Sequence, residues 1–130
     1  MKVVLDTNIL ISATIWDNSE AQKLLLKLIE KNIAIYSSKE ILEEYQKVLA
    51  RDFDYTEAEI LSLTNLLLNF LIILEPIEKL NVIKDDPEDN KIIECALSAE
   101  AEYVVTYDKH LLDVKSYKNV QMRKPEEIIF

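Results

Sequence analysis

Short apolar runs along the chain alternate with longer segments in which apolar residues recur at helical spacing. The runs Val3–Leu5, Ile33–Tyr36 and Tyr103–Tyr107 are typical of buried strands, whereas the leucines between Ser19 and about Lys31 form one face of a helix. This alternation predicts an α/β fold with a central, mostly parallel twisted sheet between two layers of helices. With 130 residues and 49% hydrophobic content, the chain is expected to form a single domain over residues 1–130.

Several helix starts can be read from polar residues. A hydroxyl residue followed three positions later by Glu or Gln indicates a capping box, and the pattern occurs at Ser19–Gln22, Ser37–Glu40 and Thr56–Glu59. The helix that begins at Ser37–Glu40 is predicted to end at about Ala50. Pro87 suits the first position of a later helix, which would make Asp86 its N-cap and Asp89 its third residue.

The remaining apolar segments predict strands and a short helix. Leu71–Leu74 is predicted to leave the preceding helix as a strand, and Val120–Met122 is predicted as an edge strand. A short loop or turn of helix is expected over Lys109–Val114, and a small terminal helix is expected to begin at Pro125.

Four acidic residues stand where strands end or where helices face inward. Asp6 directly follows the first strand, and Asp108 directly follows the strand Tyr103–Tyr107. At 100° per residue, Asp89 falls near the centre of its helix's buried stripe and Glu44 at the border of an apolar stripe. Each acid also has a simpler interpretation, as a cap, a turn residue or a boundary glutamate. Because strand ends and helix N-termini meet on one side of an α/β sheet, we expect the four acids to converge.

Converging carboxylates imply a cation. Four ionised carboxylates in one cleft repel each other strongly unless positive charge lies among them. Mg²⁺ or Mn²⁺ suits such a site of oxygen ligands, and Mg²⁺ commonly takes further ligands from substrate phosphates. The chemistry expected is therefore metal-assisted hydrolysis of a phosphodiester.

The composition excludes several other site types. The chain contains no glycine, which removes phosphate-binding loops, dinucleotide fingerprints and nucleophile elbows from consideration. Cys95 and His110 are the only cysteine and histidine, so disulfides within the chain and Cys/His zinc sites are excluded. The net charge of −9 argues against a surface that coats nucleic acid generally, although five basic residues against one acid lie in segment 109–124. That end of the molecule is a candidate surface for a phosphate backbone.

No membrane or secretory segment is predicted. The chain opens directly on the first strand without a charged and apolar leader, and the longest apolar run, Leu66–Leu74, is interrupted by Asn69. We therefore expect a cytoplasmic protein.

Four segments resemble those of PIN-domain proteins, which are small metal-dependent ribonucleases that include toxins of toxin–antitoxin pairs. The segments are, in order, Val3–Asn8, Ser38–Leu49, Asp86–Lys91 and Tyr103–Lys109. Each match is weak alone, but four in this order and spacing are fairly specific, and together they span nearly the whole chain.

The resemblance implies roles for individual residues and partners. The residues that match the family's metal-binding and catalytic quartet are Asp6, Glu44, Asp89 and Asp108. Those assigned to substrate binding are Asn8 and Thr106, which match polar positions lining the pocket, with Lys109 beside the last acid. The implied protein is a Mg²⁺- or Mn²⁺-dependent endoribonuclease, with RNA as substrate, an antitoxin protein as partner and a homodimeric state.

Two departures from the family pattern leave other interpretations open. Tyr107 stands where relatives often have Gly, and His110 stands where they often have a second Asp. Tyr107 could narrow the cleft or stack a base, and His110 is interpreted as a surface residue. The alternative function is a non-catalytic RNA-binding or interaction module. A phosphate-accepting regulatory domain is disfavoured, because Asp6 has no acidic neighbour and Asp54 follows no predicted strand.

Overall fold

A computed structural model describes residues 1–77, 79–80 and 89–130 of the protein. The strands formed by these residues are β1 Lys2–Leu5, β2 Ala34–Ser38, β3 Leu71–Leu74, β4 Tyr103–Val105, β5 Ser116–Tyr117 and β6 Val120–Arg123. The α-helices are α1 Thr7–Ile15, α2 Glu20–Glu30, α3 Lys39–Phe53, α4 Glu57–Leu68, α5 Asn90–Ala99 and α6 Lys109–Val114, and a 3₁₀ helix follows at Pro125–Glu127.

The strands form one sheet in the order β3-β2-β1-β4-β6-β5. All neighbours are parallel except the β5–β6 hairpin, which is antiparallel. β1 lies between β2 and β4, and its Val3, Val4 and Leu5 are almost completely buried. A parallel strand covered on both faces requires such an unbroken apolar run. The structure thus confirms the predicted α/β fold with helices flanking a mostly parallel sheet.

Helix α5 is the most deeply buried helix among the described residues. The predicted stripe residues Ile92, Ile93, Ala96 and Ala99 are all buried, but so are Asn90, Lys91, Glu94 and Cys95 on the helix's other sides. Burial raises the pKa of the Cys95 thiol to about 12, so the thiol stays protonated at neutral pH. A helix enclosed on nearly all sides brings its polar side chains into the interior, where they need partners.

The predicted helix starts are partly confirmed. Thr56 and Glu59 form the expected capping box, with reciprocal hydrogen bonds of 3.2 and 2.9 Å. At Ser19 half of the predicted box forms: its hydroxyl accepts from the backbone N–H of Gln22, but the Gln22 side chain accepts from the backbone N–H of Asn18 instead of Ser19. The start predicted at Ser37 is wrong by one residue: β2 continues through Ser38, which pairs with β3, and Ser38 caps α3 by accepting from the backbone of Ile41. Helix α3 also continues past the predicted end at Ala50.

Two further strand predictions differ from the structure. β4 ends at Val105, two residues before the predicted end at Tyr107, so Asp108 does not directly follow the strand. β6 is not an edge strand, because the unpredicted strand β5 pairs with its outer side.

Two late helices can be compared with their predicted starts. α5 begins at Asn90, and Asp89 before it already has helical dihedrals in a 3₁₀ turn, with φ −71° and ψ −16°. The predicted helix start at Asp86 and Pro87 lies outside the described residues. The small terminal helix begins at Pro125, as predicted, and is one turn of 3₁₀ helix.

The helices in the described part of the chain include none that combines the length and apolar character needed to cross a bilayer.

Candidate active site

Asp6 lies at the carboxyl end of the central strand, with its side chain 4% exposed. Its backbone continues the sheet by donating to the carbonyl of Val105 at 2.9 Å, and its carbonyl accepts from the first turn of α1. Among the described residues, the Asp6 carboxylate forms no side-chain cap of that helix. Its Oδ2 instead accepts a hydrogen bond from the Thr106 hydroxyl at 2.7 Å. The simpler interpretation of Asp6 as a helix cap therefore applies to its backbone and not to its side chain.

The surroundings of the Asp6 carboxyl oppose its ionisation. Burial raises its pKa from the usual 3.8 to about 6, and the negative charges of Asp108 and Glu44 add to the rise. Hydrogen bonds from the Thr106 side chain and the Thr7 backbone act in the opposite direction. The two other acids can affect Asp6 only because the fold brings them near it, although they lie 102 and 38 positions away in the sequence.

Thr106 connects two of the acids. Its hydroxyl donates to Asp6 and accepts from the backbone N–H of Asp108 at 2.8 Å, and the residue is completely buried. Its own N–H donates to the carbonyl of Arg123 on β6, which anchors Thr106 to the sheet. Because both capacities of the hydroxyl are used, Thr106 fixes the separation of Asp6 and Asp108.

Asp108 is the N-cap of α6. Its Oδ1 accepts from the backbone N–H groups of His110 and Leu111, at 2.8 and 3.2 Å. The cap holds the carboxylate in one orientation at the helix start. Ligand atoms of Asp89, Asp108 and His110 all lie within 4.8 Å of one another. His110, which the sequence analysis interpreted as a surface residue, is exposed but faces this cluster.

Glu44 is half-buried on α3 and pairs with a residue that the sequence analysis did not single out. The Lys91 ammonium lies 2.5 Å from Glu44 Oε2, and the Lys91 side chain is only 10% exposed. The two residues line a cleft of about 240 Å³ together with Glu40, Glu43 and Lys47. The expected convergence of four acids could have suggested a basic side chain nearby. The sequence pattern of α5 gave no reason to choose Lys91 for that role.

The residues assigned to substrate binding differ in accessibility. Asn8 on α1 and Lys109 at the start of α6 are exposed, next to Asp6 and Asp108 respectively. Thr106 is buried, which leaves it a positioning role. Tyr107 is 44% exposed, and its hydroxyl donates to Glu126 at 2.9 Å, so the side chain is held at the C-terminal 3₁₀ helix.

The donor set fits a hard or borderline divalent cation. Carboxylate oxygens dominate it, one imidazole lies within reach, and the buried Asp6 carries a raised pKa that a nearby positive ion would lower. Mn²⁺ accepts oxygen and imidazole ligands, and Mg²⁺ prefers oxygen ligands.

Comparison of the sequence with known families identifies its class. The PIN domain family matches residues 2–110, which include all four acids. The chain belongs to the PIN domain family. A relative in Methanocaldococcus jannaschii, the uncharacterized protein MJ1680, is 34% identical over 119 residues, which cover 88% of this PIN domain chain and 76% of the relative.

Solved structures share the fold of this PIN domain. VapBC2 from Rickettsia felis, in a structure with a DNA fragment from its promoter, superposes with a TM-score of 0.70 at 21% identity, covering 95% of this chain and 98% of that one. VapBC-1 from nontypeable Haemophilus influenzae gives a TM-score of 0.69 at 20% identity, covering 98% of this chain and all of that one. At these identities the likeness establishes the fold.

Proposed function

We propose that this PIN domain is a Mg²⁺- or Mn²⁺-dependent endoribonuclease whose metal is held by Asp6, Glu44, Asp89 and Asp108. The observation that carries the proposal is a cluster of ligand atoms: those of Asp89, Asp108 and His110 lie within 4.8 Å of one another, and Thr106 joins the buried Asp6 carboxyl to Asp108. Burial raises the pKa of Asp6 to about 6, and the charges of Asp108 and Glu44 add to the rise. A protein gains nothing in stability from such an arrangement, because burial and like charge both oppose ionisation. The arrangement is explained if the site exists to bind a divalent cation.

The chain's own residues divide the work of orienting and balancing this site. Thr106 fixes the Asp6 carboxylate, and the α6 cap fixes Asp108. Lys91 balances the charge of Glu44. The bound metal would supply an activated water and a positive charge opposite the phosphodiester. The remaining chain contributes rigidity, since preorganised groups avoid reorganisation during the reaction.

RNA is the proposed substrate, with exposed Asn8 and Lys109 in contact with it. Both residues lie at the accessible edge of the acid cluster, where an amide and an ammonium can bind phosphate and sugar oxygens.

The test is cleavage of single-stranded RNA with and without metal. The wild-type protein should cut RNA in the presence of Mn²⁺ or Mg²⁺ and lose the activity in EDTA. Asp6→Asn and Asp108→Asn should each lower kcat by at least about a hundredfold, whereas Asp113→Asn, an exposed acid on α6, should leave it unchanged. Cleavage that survives Asp6→Asn would contradict the assignment. RNA binding without cleavage under all metal conditions would favour a non-catalytic RNA-binding module.

The proposed physiological role is that of a cytoplasmic toxin restrained by an antitoxin protein. The PIN domain family and the shared fold with the two VapBC structures support this role. A small partner encoded beside this chain should copurify with it and suppress its ribonuclease activity. Failure of any neighbouring product to do so would argue against the role. Homodimerisation stays a prediction, which sedimentation of the purified protein would test.

A further inference from the structure

The basic residues near the C-terminal end of the chain form a groove on an otherwise acidic protein. Segment 109–124 holds five of the fifteen Lys and Arg residues but only one of the twenty-four Asp and Glu residues. The groove, of about 310 Å³, is lined by Lys115, Ser116, Lys118, Asn119, Gln121 and Arg123. Among these lining residues there are three cations, three neutral hydrogen-bonding side chains and no acid. We call this surface the basic groove.

The backbone fixes the positions of the groove's cations. Lys115 ends α6 with φ 65° and ψ −58°, a conformation that is costly for a residue with a Cβ, and its carbonyl accepts from Met122 at 2.9 Å. Lys118 occupies the β5–β6 turn with φ 52°. The Arg123 guanidinium donates to the carbonyl of Met122 and to the side chain of Gln121. The groove is therefore a shaped surface on a hairpin and a helix end.

The basic groove lies on β6 and the end of α6, two elements that also contact the candidate active site. The carbonyl of Arg123 accepts from the backbone of Thr106, the residue that holds Asp6. Helix α6 begins at its cap Asp108 and ends at Lys115, and six helical residues span about 9 Å. One short RNA strand can therefore contact both the acid cluster and the groove.

We infer that the basic groove binds the phosphate backbone of the RNA on one side of the cleavage site. This inference rests on the proposed ribonuclease function. The acid-rich remainder of the chain repels a polyanion, so productive binding requires a local surface of opposite charge. Lysine and arginine side chains with amides and a hydroxyl are the groups that bind phosphate and sugar oxygens without reading sequence. The groove supplies affinity and direction, and the acid cluster supplies the chemistry.

The experiment measures binding of a fluorescein-labelled 20-nucleotide single-stranded RNA of mixed sequence by anisotropy, in EDTA so that cleavage does not interfere. The variant Lys115→Gln/Lys118→Gln removes two groove charges, and the control Lys23→Gln/Lys27→Gln removes two exposed charges from α2. We expect the groove variant to bind about tenfold more weakly, with the slope of log K against log salt smaller by about 1.4, while the control stays near wild type. Lys115→Arg/Lys118→Arg should restore binding, which separates charge from folding.

Kinetics give an independent measurement. In Mn²⁺ the groove variant should raise KM for RNA at unchanged kcat, and it should hydrolyse bis(p-nitrophenyl) phosphate at the wild-type rate because this diester has no flanking phosphates. The inference would be overturned if wild type and groove variant bound RNA equally, or if the control lost as much affinity as the groove variant. Equal binding by wild type and groove variant is also the result expected if the groove binds an acidic protein segment instead of RNA. Groove-dependent RNA binding by a wild-type protein that never cleaves RNA would sustain the inference and refute the ribonuclease function.

Discussion

At the residue scale, Asp6 shows a conflict between stability and function. Its pKa is raised from 3.8 to about 6, so the folded state holds this proton more tightly than the unfolded state does. The contribution of Asp6 to stability is therefore most favourable below about pH 4 and declines as the pH rises through about 6. At neutral pH the ionised side chain costs on the order of 3 kcal/mol, which corresponds to the difference between the two pKa values.

This cost predicts the behaviour of Asp6→Asn. Without metal at pH 7.5, the variant should be more stable than wild type by up to about 3 kcal/mol, because Asn carries no charge and its carbonyl can still accept from Thr106. The gain should shrink toward zero at pH 4, where Asp6 is protonated in the folded protein. Urea unfolding in EDTA at both pH values measures the effect, with Asp113→Asn as the exposed control. A variant less stable than wild type at pH 7.5 would contradict the origin assigned to the shift.

Thr106 allows a test of how Asp6 is positioned. Thr106→Val removes the hydroxyl that donates to Asp6 and accepts from the Asp108 backbone, whereas Thr106→Ser keeps it. Loss of the hydroxyl in Thr106→Val should raise the pKa of Asp6 further. The acidic limb of the pH profile for RNA cleavage should then move upward by roughly one pH unit. Thr106→Ser should keep the wild-type profile. An unchanged profile in Thr106→Val would show that Asp6 is held by other contacts.

His110 makes a prediction about metal preference. Its ring nitrogen lies within 4.8 Å of ligand atoms on Asp89 and Asp108, and imidazole suits Mn²⁺ better than Mg²⁺. His110→Asp, which introduces the residue often found in relatives, should lower the preference for Mn²⁺ over Mg²⁺ by on the order of tenfold. Calorimetric titration with each ion measures the preference, and pulsed electron paramagnetic resonance of bound Mn²⁺ should show a nitrogen coupling that the variant lacks. A wild-type spectrum without that coupling would refute ligation by His110.

At the element scale, the pattern of apolar and polar residues predicted those strands and helices that local interactions determine. The apolar runs of β1 and β4 were recognisable because a strand buried on both faces needs them. The end of β2 was missed because pairing with the distant strand β3 decides it. Strand β5, and with it the inner position of β6, was missed because two residues are too few to show a strand pattern.

The same division applies to the site. Asp6 and Asp108 could be proposed as site residues because each stands beside an element boundary that the sequence makes visible. Asp89 could be proposed from the helical spacing of the residues that follow it. Lys91 was missed because a lysine on an apolar helix normally reaches solvent, and only the packing around all sides of α5 buries it.

The burial of α5 leads to a prediction for Lys91. Lys91→Met removes the ammonium 2.5 Å from Glu44 and leaves that carboxylate facing other acids. Without metal at pH 7.5, the variant should lose about 1–3 kcal/mol of stability. Lys23→Met, an exposed lysine on α2, should lose less than about 0.5 kcal/mol. Mn²⁺ should restore more stability to Lys91→Met than it adds to wild type, and urea unfolding with and without Mn²⁺ measures both. An equal response to Mn²⁺ would show that Lys91 does not balance the metal site.

At the scale of the whole molecule, charge is unevenly distributed. The net charge of −9 coexists with a basic groove and with an acid cluster at the carboxyl ends of β1 and β4. Such a distribution attracts a polyanion to the basic groove and a divalent cation to the acid cluster. The sheet order, with β1 and β4 adjacent and β6 beyond them, places the two features next to each other.

Metal binding should therefore stabilise the whole fold, since the unfolded chain does not bring the four acids together. At a free ion concentration ten times the Kd, stability should rise by about 1.4 kcal/mol, which corresponds to roughly 4 °C in Tm for a domain of this size. Thermal unfolding in EDTA and in Mn²⁺, with ionic strength matched by KCl, measures the change. Asp6→Asn should begin from a higher Tm in EDTA and gain little from Mn²⁺, whereas Asp113→Asn should respond like wild type. A Tm increase in Asp6→Asn equal to that of wild type would place the stabilising ion elsewhere on the acidic surface.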